Sequence, residues 1–241
     1  MRKIWLLGLL LLTGCAGPVR STPAPTPVLI HVSLTPSLRP WITLLHACAA
    51  TLPGIVINVN EVPANVLEVT DSDMAVQFGG APVQGYAAPL GDEELVLIVN
   101  AQNPLLTIPT EKLREIYMGF ITSWSEIGGE QQPIQAWTYP DGYDVRNIFD
   151  EAIIPDGELT PNALIAPNPQ AMLEAIGSDP LAIGYVPQTW LAQSSDNEEV
   201  RSLNLNQNLA EKLRQPVLAL SKDEPEGALR QLLVCLQSSG K

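Results

Sequence analysis

Long apolar runs are missing from this 241-residue chain. No stretch approaches the roughly eighteen residues that a membrane-spanning helix needs, and the run at the start, Ile4 to Leu12, is too short to span. Positive charge is scarce as well. Thirteen Lys and Arg stand against 26 Asp and Glu, for a formal net charge of −13. Such a surface repels phosphate backbones and anionic headgroups, which argues against nucleic-acid binding. Histidine occurs twice, as His31 in a strand-like run and His46 in a helix-like one, and two isolated histidines give no metal-ligand spacing. There is no Gly-x-Ser-x-Gly elbow and no glycine-rich phosphate loop. The carboxylates of Asp92-Glu93-Glu94 and Asp223-Glu224 fall in turn-like stretches and read as solvated faces. The reading is of a chain that is not an enzyme and needs no metal or cofactor.

What is present begins with the leader. Arg2 and Lys3 precede the short apolar run, and Leu12-Thr13-Gly14-Cys15 follows it. These are the flanks of an export signal. The last four residues resemble the bacterial lipoprotein lipobox, whose cysteine is acylated through its thiolate and becomes the mature N-terminus. Residues 1–14 are then a signal peptide, Cys15 is the lipidation site, and loss of Arg2 and Lys3 takes the formal charge to −15. Residues 15–27 carry four prolines and no large apolar cluster, which reads as an extended, solvated tether. The expected location is the extracytoplasmic face of the membrane, held by lipid alone.

Two further cysteines remain. Cys48 lies among Leu44, Leu45, Ala49 and Leu52 at helical spacing, and Cys235 beside Leu232, Leu233 and Leu236. They are either two buried hydrophobes or, in an oxidising compartment, a disulfide joining the first and last helices.

Between tether and terminus, short apolar runs alternate with helical patterns. Val28 to Val32, Ile55 to Val59, Ala75 to Phe78, Glu94 to Val99, Pro133 to Trp137, Ala182 to Val186 and Val217 to Leu220 read as strands. Helices are expected over about 40–51, 110–118, 144–153, 168–176 and 225–237, with Ser37 or Thr35 as cap of the first. This pattern predicts an α/β architecture with largely parallel sheets. Trp124 and Trp137 read as packing residues.

The segment LVLIVNAQNPLLTIPTEKLREIYMGFITSW, residues 95–124, with SEIGG and PIQAW after it, resembles the phosphate-type substrate-binding proteins of ABC transporters. Ala182-Ile-Gly-Tyr-Val186, Ser37-Leu38-Arg39-Pro40 and Pro216 to Leu236 resemble further elements of that family. The resemblance implies a two-lobed periplasmic-binding fold, with mixed, mostly parallel sheets flanked by helices. Residues 28–97 plus 189–241 would form lobe one and 98–188 lobe two, with crossings near Asn100 and Pro187. It further implies a monomer that captures a small-molecule or oxyanion solute in the cleft and hands it to an ABC permease. The alternative is a non-transport sensor or envelope lipoprotein of the same fold with a degenerate cleft.

The family meets its oxyanion with an Arg-x-x-Gly-Ser-Gly-Thr segment. Here the matching residues are Tyr139-Pro-Asp-Gly-Tyr-Asp-Val145, so Tyr139 replaces the arginine, Tyr143 the serine and Val145 the threonine, while Gly142 is kept. Phe78-Gly79-Gly80 stands where the family has an acidic residue. Each lost charge-assisted bond is worth about 1.5–3 kcal/mol, so orthophosphate is not the expected ligand. The expected ligand-binding residues are Ser37, Leu38, Phe78, Tyr139, Gly142, Tyr143, Asp144 and Val145. Tyr139, Tyr143 and Asp144 suit a neutral or cationic organic solute, or mark a cleft that has stopped binding tightly. Read without the family, they are loop residues with no ligand role.

Overall fold

The longest strand carries two different sequence patterns, and the architecture follows from that. In the computed structural model, which describes residues 26–80, 85–193 and 198–239, β4 runs from Tyr86 to Asn100. Its second half, Leu95 to Val99, is apolar at every position and buried throughout, as a strand covered on both faces must be. Its first half mixes buried and exposed positions. The leader, Cys15 and most of the tether lie outside the described residues.

The first half of β4 belongs to one half-sheet. There β1 (Val28–Leu34) pairs in parallel with β2 (Ile55–Glu61) and with β3 (Met74–Phe78). Antiparallel β9 (Arg214–Ser221) then joins β3 to β4. The ladder between β4 and β9 shifts register between Pro89 and Gly91, where proline has no N–H to give. The second half of β4 pairs with β7 (Ala182–Pro187) and β8 (Val200–Ser202), both antiparallel. Parallel β5 (Gln135–Thr138) and β6 (Leu164–Ile165) complete this half. The sheet is thus mixed, turning antiparallel where the long crossing strands enter it.

Pairing fixes where the chain crosses. On β4 the change of partners falls between Glu94 and Leu95, several residues before the expected position at Asn100. Asn100 instead sits deep in the second lobe, its amide donating to the carbonyls of Ile176 and Gly177. The expected lobe-one segment 189–241 is also divided, because β8 pairs with residues 98–100 of the second half-sheet.

Helices cover both halves: α1 (Ile42–Thr51) and α7 (Gly227–Ser239) on the first, and α2 (Thr110–Tyr117), α3 (Asp144–Ile153), α4 (Pro169–Ser178), α5 (Gln188–Gln193) and α6 (Gln207–Leu213) around the second and the crossing. α3 buries Val145, Ile148, Phe149 and Ala152, the i, i+3, i+4, i+7 stripe of an amphipathic helix. α4 starts with Asn168, whose side chain accepts from the Ala171 amide at 3.0 Å, followed by Pro169 at the first helical position. Cys48 of α1 and Cys235 of α7 are joined by a disulfide, with Cα atoms 5.8 Å apart. The core of the second lobe holds an aromatic cluster. Phe149 stacks on Tyr185 with ring centroids 3.9 Å apart, and Tyr117 and Tyr139 meet the pair edge-on.

Candidate functional site

Two chain segments from opposite lobes meet between the half-sheets. From lobe one, β1 ends at Leu34 and the next residues turn, placing Thr35 and Ser37, both buried, at the strand's carboxyl end. From lobe two, β5 ends at Thr138 and the chain turns through Gly142 into the N-terminus of α3 at Asp144. Gly142 has φ +78°, and a Cβ there would come within 2.8 Å of the Asn65 side chain across the cleft. Glycine therefore serves both the turn and the close approach.

Asp144 is the centre of this meeting. Ser37 Oγ donates to Asp144 Oδ2 at 2.6 Å, and Thr35 Oγ1 lies 2.7 Å from Ser37 Oγ. The Val145 amide donates to Oδ1 at 2.8 Å. With the Ser37 hydrogen given to Asp144, the Thr35 hydroxyl donates in turn to Ser37 Oγ. Burial pushes the Asp144 pKa above the usual carboxylate range, and the hydrogen bonds from Ser37 and the Val145 amide oppose that rise. Trp190 Nε1 donates to the Ser37 carbonyl at 2.7 Å, which fixes the Thr35–Ser37 turn from the crossing side.

Space remains on either side of this contact. A cavity of about 720 Å³ is lined from lobe one by Asn65, Glu68, Gln77 and Phe78 and from lobe two by Asn147 and Glu151, among others. Its described lining contains no Lys or Arg. A second cavity of about 420 Å³ lies beyond Trp190, bordered by Arg39, Thr43, Gln170 and Leu173. There the Arg39 guanidinium sits 5.4 Å from the Trp190 ring and forms a two-pronged pair with Glu61 at 2.6 and 2.7 Å. Among the described residues, no cluster of His, Cys, Asp and Glu is arranged to hold a metal, and no helix is long and apolar enough to cross a membrane.

The residues expected at the site divide. Ser37, Phe78, Gly142 and Asp144 come together at the cleft. Val145 contributes its amide, while its side chain is in the core. Leu38 is a core side chain whose amide is taken by the Thr35 carbonyl at 2.9 Å. Tyr143 precedes α3 and packs partly buried against the core. Tyr139 is a correction. It is fully buried, and its hydroxyl donates to the Tyr185 carbonyl at 2.9 Å inside lobe two, so it faces the aromatic core and no solute. The expected capping role is a second correction, because neither Thr35 nor Ser37 gives the first helical turn a side-chain hydrogen bond. Their hydroxyls are turned to Asp144. Sequence reasoning missed Thr35 and Trp190 as site residues. The only signal for Thr35 was its place directly after an apolar strand, where such folds put their ligand contacts.

The comparisons with known proteins agree with this geometry. A model of a PBP superfamily domain matches residues 71–226. The phosphate-binding protein PstS of Bacillus subtilis (strain 168) is 26% identical over 146 residues, 56% of this chain and 47% of its own length. The chain thus spans about half the length of that relative. A Clostridium perfringens structure, assigned as a phosphate ABC transporter substrate-binding protein and holding phosphate, superimposes with a TM-score of 0.75 at 20% identity, covering 87% of this chain and 93% of its own. An ABC-type phosphate transport receptor from Vibrio cholerae gives 0.67 at 20% identity, covering 88% and 94%. The CcmR regulatory domain of Synechocystis PCC6803, in complex with 2-PG, gives 0.66 at 15% identity, covering 88% and 97%. At these identities the structural likeness is one of fold. With a family model matched over well more than half of its length, the chain belongs to the PBP superfamily.

Proposed function

We propose that this chain is an extracytoplasmic solute-binding lipoprotein, anchored through Cys15, which captures a small solute between its lobes for an ABC-type importer. The observation that carries this reading is the 720 Å³ cleft, whose polar lining comes from both lobes of a sheet that the chain crosses more than once. The relatives named for phosphate lend it a transport setting. They do not lend it phosphate, because among the described residues no arginine lines the cleft at Asp144 and the lining is acidic. A polar neutral or cationic organic solute suits that lining.

A thermal-shift screen of the mature chain against orthophosphate, sugars, amino acids and amines tests the reading. The expected outcome is a rise in Tm with one neutral or cationic class and none with phosphate. Mass spectrometry of the membrane fraction should show a diacylglyceryl Cys15. If no class of solute raises Tm, the transport reading fails. The non-transport sensor or envelope role then stands, and it is favoured by one observation of its own: the two lobes are already bonded to each other through Ser37 and Asp144.

A further inference from the structure

Hydrogen bonds reach Asp144 from both lobes, and the residues around it are buried. Thr35, Ser37, Phe78 and Val145 are each no more than 2% exposed. Ser37 offers its hydroxyl, backed by that of Thr35, and Val145 offers a backbone amide in the first turn of the ten-residue helix α3. A hydroxyl and a first-turn amide are donors of the kind a small oxyanion takes. A helix start needs no such partner from the other lobe. The residue in the capping position is Tyr143, so Asp144 is already inside the helix. Only the Val145 bond is local; the Ser37 bond spans 107 residues and crosses the cleft.

We infer that the Asp144 carboxylate is a tethered anion occupying an oxyanion subsite of the chain's own, and that this residue excludes free oxyanions from the cleft. The inference rests on the reading of the inter-lobe cleft as a binding site, but not on the identity of any solute or permease. A carboxylate only accepts hydrogen bonds, as do phosphate and sulfate at their charged oxygens, so the same donors serve either. Tethering gives the side chain an effective concentration far above that of free anions in solution, which therefore lose the competition. Because the donors are split between lobes, the same contact holds the lobes together without solute. Asp144 is thus a specificity residue: it turns an oxyanion cradle into a closed contact and leaves the adjoining acidic cavity for other chemistry.

Calorimetry of the mature chain with inorganic phosphate and with sulfate at neutral pH decides the matter. The wild type is expected to bind neither. Asp144→Ala frees the Ser37 hydroxyl and the Val145 amide and should bind at least one of the two anions about tenfold or more tightly than wild type, about the worth of one regained hydrogen bond to a charged group. Adding Ser37→Ala to that variant should remove the gain. Should the alanine variant not fold, Asp144→Ser keeps a short polar side chain at the helix start and carries the same expectation. Micromolar phosphate binding by the wild type overturns the inference, as does a folded Asp144 variant with no gain for either anion. The variant outcome is independent of the solute screen, which can succeed or fail with Asp144 intact.

Discussion

Glu93 and Thr189 stand 96 residues apart in the chain and meet at the crossing between lobes. The Thr189 hydroxyl donates to Glu93 Oε2 at 2.7 Å and the Thr189 amide to Oε1 at 3.2 Å. Trp41 Nε1 adds a third bond at 3.2 Å, and the carboxyl is 3% exposed. β4, the segment after β7 and the start of α1 are thereby stitched together at one buried group. Each unpaired buried donor costs about 1–3 kcal/mol. Glu93→Ala, which orphans several, should lower unfolding stability by about 2–4 kcal/mol in urea melts, and Glu93→Gln by less than half of that. An alanine variant as stable as wild type would show that water replaces the carboxyl without loss.

The disulfide between Cys48 and Cys235 closes almost the whole described chain into one loop, with a sequence separation of 187. Loop closure of that length contributes about 3–5 kcal/mol by restricting the unfolded chain. Oxidised mature protein, denatured, should titrate no free thiol from these two residues. Reduction, or replacement of both by serine, should lower Tm by several degrees. Two titratable thiols in the unreduced protein would contradict the pairing.

Tyr139 separates core from cleft. Its hydroxyl reaches only the Tyr185 carbonyl, and its ring packs edge-on against Tyr185 at 5.2 Å. Tyr139→Phe keeps the ring and loses the bond, so it should cost about 1 kcal/mol of stability and leave the affinity of any cleft solute unchanged. Equal loss of stability and of affinity would place the residue back at the site.

The sequence was most legible where local pattern suffices. Leu95 to Val99 is apolar at every position and lies buried on both faces, and α3 shows its stripe of Val145, Ile148, Phe149 and Ala152. Asn168 and Pro169 announced the start of α4. What stayed hidden depends on partners far along the chain. Glu93 reads as one of three adjacent solvated carboxylates until Trp41 and Thr189 are seen to close over it. Tyr139 fell on a segment whose family pattern points to the ligand, but a tyrosine there reaches a carbonyl 46 residues away and turns inward. Asp144 was legible as a cleft residue; that Ser37, 107 residues earlier, binds it directly was not.

Asp144 also sets a pH dependence with a definite sign. Burial raises its pKa above the unfolded value, more than the hydrogen bonds from Ser37 and the Val145 amide lower it. The native chain therefore keeps this proton at pH values where the unfolded chain has released it. A group of this kind stabilises the fold most in acid, and its contribution is lost as pH rises through the folded pKa. Glu68 and Glu151 on the cavity wall, and Asp150 paired with Arg146 further along α3, are other ionisable side chains in this region. They are common to wild type and Asp144→Ala, so the difference in Tm between the two proteins isolates Asp144. That difference should favour wild type more at about pH 4.5 than at about pH 7. A difference that grows in the other direction would mean that hydrogen bonding outweighs burial at this carboxyl.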